Sequence, residues 1–128
     1  MRLFFLVLAL FLMNAACAAA ENITSCMNIT QNGTYDLLND VNTTGHCFHI
    51  TAGNVTLDCH GFSLTGDRSG YDYGIYIVGS DNVTAKNCTV VDFRIGIYLS
   101  SSDNSSITDN DITNTTWVSM ALVGSEWN

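Results

Sequence analysis

The chain contains no proline, and only 12% of its residues are charged. Four lysines and arginines stand against twelve aspartates and glutamates, a formal net charge of −8. A nucleic-acid binder needs a basic face to neutralise phosphates, so that class is excluded. Low charge combined with 47% hydrophobic residues also excludes the composition of a disordered chain. Beyond residue 20 there is no long apolar run, and no window carries a convincing 3.6-residue apolar period. Collagen, coiled coils and multi-span membrane proteins are thereby excluded. A length of 128 residues leaves room for one domain.

What is present begins with an address. Arg2 is the sole charge before Glu21, and Leu3 to Met13 is an unbroken apolar run. Asn14 interrupts it, and the small-residue stretch Ala15-Ala16-Cys17-Ala18-Ala19-Ala20 follows. A basic start, a short apolar stretch and an Ala-x-Ala site predict a signal peptide over residues 1–20, cleaved before Glu21. The run is short for a membrane span, which needs about 20 apolar residues, so no span is expected after cleavage. The expected location is secreted, at the cell surface. Cys17 leaves with the signal, and Cys26, Cys47, Cys59 and Cys88 remain. An even cysteine count in a short exported chain predicts two disulfides, with three pairings open.

The remaining 108 residues are polar and self-similar. Asn, Thr and Ser make up 37 of them. Apolar residues alternate over short stretches separated by Gly, Asn, Asp and Ser, the signature of many short strands. Residues 74–82 read GIYIVGSDN and residues 96–104 read GIYLSSSDN, an offset of 22. The offset continues through 83–90 and 105–112, and LVGSE at 122–126 echoes LSSSD at 99–103 with an offset of 23. Asn54 to Cys59 resembles Asn82 to Asn87. Such periods mean stacked units that cannot bury their apolar faces alone. The leucine ladder of a leucine-rich repeat is missing. About three short strands and three turns fit a 22-residue coil.

On these motifs the chain resembles the right-handed parallel β-helix repeat family over residues 50–128, with NVTLDCHGFSLTG at 54–66 fitting a first coil. It is similar to exported archaeal-type surface proteins and to the nitrous-oxide-reductase accessory (NosD-like) β-helix group of carbohydrate-binding and sugar-hydrolase proteins. The resemblance implies an all-β, pectin lyase-like solenoid. Ile75 and Ile77 are then expected to stack with Ile97 and Leu99, about 4.8 Å apart. Val55, Leu57, Val83, Ala85 and Ile107 extend the interior, as do Leu64, Val90 and Ile112. Tyr76 and Tyr98 point outward and stack, while Gly74 and Gly96 occupy tight bends. Residues 21–50 do not repeat and are expected to form an N-terminal cap stapled by Cys26–Cys47. Residues 51–128 form the coils, in which Cys59 and Cys88 face each other; the alternative there is two buried free thiols. The coil at Asn128 reads as truncated, with no C-terminal cap visible.

Candidate chemistry follows from residue types. Acceptor sequences Asn-x-Ser/Thr occur at Asn22, Asn28, Asn32, Asn42, Asn54, Asn82, Asn87, Asn104 and Asn114. All but Asn87, which adjoins Cys88, are candidate glycosylation sites. The bland alternative is that Asn and Thr are common in β-helix turns. The segment 65–73 breaks the repeat, and such insertions often carry binding. Asp67, Arg68, Tyr71, Asp72 and Tyr73 are therefore the candidate contacts for a sugar. No catalytic residue is assigned: Asp81 and Asp103 read as turn residues, and His60-Gly61 and Arg94-Ile95-Gly96 only partly match pectinase motifs. His46 and His49 around Cys47, with His60 after Cys59, raise copper or zinc, but disulfides would withdraw the thiolates. No metal site or cofactor is expected, calcium on turn aspartates being the nearest alternative. The expected function is a non-enzymatic structural or adhesive surface protein contacting carbohydrate or other envelope proteins. The alternatives are a polysaccharide-acting lyase or hydrolase, or its N-terminal fragment, and a metal-handling accessory protein.

Overall fold

A computed structural model describes residues 19–125. The apolar segment 1–18, and with it most of the expected signal peptide, lies outside the described residues, as does Trp127. Fourteen short strands and no helix make up the described residues. β1 (Glu21–Ile23), β3 (Gly33–Leu37), β6 (Val55–Asp58), β9 (Thr84–Lys86) and β12 (Ser106–Thr108) form one sheet in that order. A second contains β4 (Val41–Asn42), β7 (Ser63–Thr65), β10 (Thr89–Val91) and β13 (Asp111–Thr113). The third contains β2 (Met27–Ile29), β5 (Phe48–Ile50), β8 (Tyr73–Val78), β11 (Ile95–Ser100) and β14 (Val118–Val123). Every pairing is parallel. The chain visits the three sheets in turn and advances one strand per circuit: a parallel β-helix.

The repeat arithmetic becomes register. Ile97 pairs with Ile75, Leu99 with Ile77 and Leu122 with Leu99. Leu64, Val90 and Ile112 form the matching column of the second sheet. Alternate residues point inward because successive side chains of a strand face opposite ways. Leu57, Leu64, Ile75, Ile77, Ala85, Val90 and Ile97 are fully buried as a result. Residues 21–50 repeat nothing in sequence, yet they supply β1 to β5 to the same sheets. Their alternating Tyr35, Leu37, Phe48 and Ile50 meet the one requirement the coil imposes.

Two details differ from expectation. Gly74 and Gly96 lie inside β8 and β11 rather than at bends. Their constraint is closeness: a Cβ on Gly74 would clash with Val90 Cγ1, and one on Gly96 with Ile112 Cγ2. Ile107 and Ile112 are only partly buried, since they sit in the outermost strands of their sheets.

The corners turn on left-handed residues. Asn54, Asn82 and Asn104 have φ of 54°, 57° and 54°, and His60, Asn87 and Asp109 have φ of 50°, 56° and 55°. Asn and Asp tolerate this region better than other side chains. Buried polar columns satisfy the turns: Ser102 Oγ accepts the Ser80 N–H, and Ser125 Oγ accepts the Ser102 N–H. Asn110 accepts the Cys88 N–H at 2.8 Å and donates to Ala85 O at 3.0 Å.

Both disulfides join neighbouring coils. Cys26–Cys47 lies just before the paired β2 and β5, with Cα atoms 4.5 Å apart. Cys59–Cys88 lies just after the paired β6 and β9, with Cα atoms 4.8 Å apart. Each acts as a covalent rung parallel to the hydrogen-bonded ones.

Candidate functional site

The outer face of the third sheet carries aromatic rings from successive coils. His49, Tyr76 and Tyr98 are register partners on β5, β8 and β11. His49 stacks on Tyr76 with centroids 4.8 Å apart. Tyr73, at the start of β8 rather than in a loop, stacks on Tyr76 at 4.6 Å and 10°. Tyr98 is tilted by 50° against Tyr76, so that expected pair is a tilted contact, not a parallel one. His46 completes the cluster 4.9 Å from Tyr73, and its Nδ1 accepts the Tyr73 N–H at 3.0 Å. That bond fixes the neutral tautomer with its proton on Nε2. Burial raises the Tyr73 phenol above its ordinary value, assisted by Tyr76 and Tyr98 and opposed by Arg94. These rings largely cover one another's faces.

The insertion before β8 adds a second element. Tyr71 and Trp117 are each 67% exposed, and the Arg94 guanidinium lies near both. Its central carbon is 3.6 Å from the Tyr71 ring centroid and 5.2 Å from that of Trp117. Arg94 Nε is buried without a hydrogen-bond partner. Burying such a donor carries a desolvation cost, which the cation–π contacts offset in part. The result is two rings two coils apart, one on each side of the coil that carries Arg94, and open to solvent. Neither Arg94 nor Trp117 was among the expected contacts. The signal available in sequence was the coil register, which puts residues 23 apart side by side.

The other expected contacts separate from this patch. Asp67 accepts both the N–H and the hydroxyl of Ser69, and those bonds hold its carboxyl below the ordinary value. Arg68 holds a left-handed turn at φ 62° and donates its N–H to Asp92 O. Asp72 Oδ1 lies 3.9 Å from His46 Nδ1, on the aromatic side. Tyr71, Asp72 and Tyr73 thus border the ring face, while Asp67 joins Thr65, Asn42 and Thr43 along a separate shallow groove.

A third group forms on the outer face of the first sheet. Asp36 pairs in register with Asp58, and Asp58 with Lys86. His60 Nε2 lies 3.0 Å from Asp36 Oδ1, and His60 Nδ1 lies 3.7 Å from Asp58 Oδ1. A carboxylate only accepts, so Nε2 carries the proton of that bond. Asp58 Oδ1 also accepts from the His60 N–H and Asn87 Nδ2. Burial pushes the Asp58 carboxyl up, but those bonds and the charges of His60 and Lys86 outweigh it, leaving it lowered. Beside His60 a groove of about 430 Å³ runs past Asn87 to Asp109 and Asp111.

Asn22, Asn28, Asn32, Asn42, Asn54, Asn82, Asn104 and Asn114 are exposed, whereas Asn87 is half-buried and donates to Asp58. Asp81 and Asp103 sit one coil apart at a corner, Asp81 Oδ1 accepting the Asp103 N–H at 2.8 Å. No helix among the described residues is long and apolar enough to cross a membrane.

A family model described as periplasmic copper-binding protein (NosD) matches residues 18–128. No curated protein and no solved structure matches the chain.

Proposed function

We propose a function from one premise: the chain belongs to the NosD family, whose description is periplasmic and copper-binding. An exported family and two disulfides fit an oxidising compartment. We read the chain as an exported, non-enzymatic binding β-helix that works at the cell surface and holds carbohydrate on its outer face. The observation that carries this reading is the Arg94 guanidinium set between the exposed rings of Tyr71 and Trp117. A flat apolar ring face beside a fixed cation suits a sugar ring that presents C–H groups to one and hydroxyl or carboxylate oxygens to the other. With a net charge of −8, long polyanions are repelled as a class, so the favoured ligand is a neutral or sparsely charged saccharide.

Affinity electrophoresis on gels containing neutral and acidic polysaccharides tests it. Trp117→Ala and Tyr71→Ala are expected to abolish retardation, and Asp67→Ala to leave it unchanged. Retardation that survives the double substitution Tyr71→Ala/Trp117→Ala refutes the reading. Release of reducing or unsaturated sugar during the same incubations would replace the binding role with an enzymatic one.

The family description favours a second reading, a metal-handling accessory protein. Its specific support is the convergence of Asp36, Asp58 and His60.

A further inference from the structure

Copper handling needs donors, and the four cysteines at positions 26, 47, 59 and 88 supply no thiolate, each being held in a disulfide. We propose that Asp36, Asp58 and His60 bind one divalent cation of the copper–zinc class, a proposal that rests on the metal-handling reading. The donor set is one imidazole nitrogen and two carboxylates, whose ligand atoms lie within 4.8 Å of one another. Donors held about 2.0–2.2 Å from a shared ion lie up to about 4 Å apart, so side-chain rotation alone closes the set.

The backbone holds these donors where rotation suffices. Asp36 and Asp58 are register partners on adjacent strands. His60 follows Cys59, which is tied to Cys88 on the next coil. The left-handed φ of 50° at His60 accompanies an imidazole directed at Asp36 of the preceding coil. A cation bound here takes the place of the His60 Nε2 to Asp36 hydrogen bond, and the imidazole keeps one ring N–H when it ligates through the other nitrogen.

Lys86 supplies the counter-argument and a test. Its Nζ lies 3.8 Å from Asp58 Oδ2 and opposes a cation there. The groove beside His60 leaves that side of the imidazole open to water as a further ligand. A mixed imidazole–carboxylate set follows the usual divalent order, so Cu²⁺ is expected to bind more tightly than Zn²⁺, and Zn²⁺ more tightly than Mn²⁺.

The experiment titrates the purified, disulfide-bonded chain with Cu²⁺ by calorimetry and records the electron paramagnetic resonance spectrum. One equivalent coupled to a single imidazole nitrogen is expected. His60→Asn keeps a residue tolerant of the left-handed turn and is expected to weaken binding by tenfold or more, on the order of a lost ligand contact. Asp36→Asn is expected to do the same, and Lys86→Met to tighten binding several-fold. Circular dichroism of each variant matching the parent shows that the coil is intact. Cu²⁺ binding unchanged in His60→Asn, or lost instead in His46→Ala/His49→Ala, overturns this site and leaves the metal-handling reading standing. A parent chain that binds no Cu²⁺ overturns both.

Discussion

The middle coils and the last coil are written in the same letters but behave differently. Leu57, Ala85, Ile77 and Leu99 are at most 1% exposed. Their column mates in the outermost strands are not: Ile107 is partly buried, and Leu122 is 38% exposed. Strand pairing is present in both regions, with Leu122 registered on Leu99 as firmly as Leu99 on Ile77. Burial in a solenoid is therefore conferred by the next coil and is not a property of the residue's own pattern. The disulfides sharpen the contrast, because both lie between residues 26 and 88 and the coil from 106 to 123 has none.

The largest test of that contrast is a matched truncation. Leu57→Ala is expected to cost about 2–5 kcal/mol through lost transfer energy and a cavity. Leu122→Ala, already open to solvent, is expected to cost less than about 1 kcal/mol. Urea midpoints of the two variants measure the difference; equal shifts would break the comparison. Next, Cys59→Ser with Cys88→Ser is expected to lower stability by about 3–4 kcal/mol, the loop-entropy value for about 29 closed residues. Limited proteolysis is then expected to cut faster within residues 60–88 than it does in the parent. A loss confined to the last coil would show that the rung acts elsewhere.

A smaller effect separates the regions by pH. The Asp58 carboxyl is lowered from an ordinary value of 3.8. Its contribution is therefore complete above that value and is lost as the pH falls through the lowered one. Urea midpoints recorded from pH 6 to 3 should fall at the acid end, and Asp58→Asn should flatten that fall. A slope unchanged in Asp58→Asn would assign the acid sensitivity to other carboxylates.

Much of the fold was legible because the β-helix writes its period directly. The 22-residue offset aligned Ile75 with Ile97, and the 23-residue echo aligned Leu99 with Leu122. Asn110 stood out as the match of Cys88 and does satisfy its backbone. The strands within residues 21–50 were hidden, because the coil demands alternating apolar character and not residue identity. The site was less legible for a related reason. Asp36 and His60 are 24 residues apart, and Tyr71 meets Arg94 across 23. Such contacts appear only when each coil's length is known, and the step from Leu57 to Ala85 is 28 residues rather than 22. The insertion that raised the expectation of binding also concealed which residues would share the patch. Asp67 is bonded to Ser69 within its own turn, and the Arg68 backbone N–H bonds to Asp92 O on the next coil.

The left-handed corners have a consequence beyond the backbone. Asn54, Asn82 and Asn104 each hold a turn, and Thr56, Thr84 and Ser106 each follow two residues later on the strand beyond. A coil that turns on Asn and continues on a hydroxyl residue thus spells Asn-x-Ser/Thr as a by-product of its geometry. The three acceptors are also stacked: the Asn54 N–H meets Asp81 O, and the Asn82 N–H meets Asp103 O, one coil further along. At a spacing of about 4.8 Å the column is narrower than any branched glycan. A sugar tree on Asn82 would occupy the space above both its neighbours. If these acceptors were glycosylated, the first site filled would exclude the next.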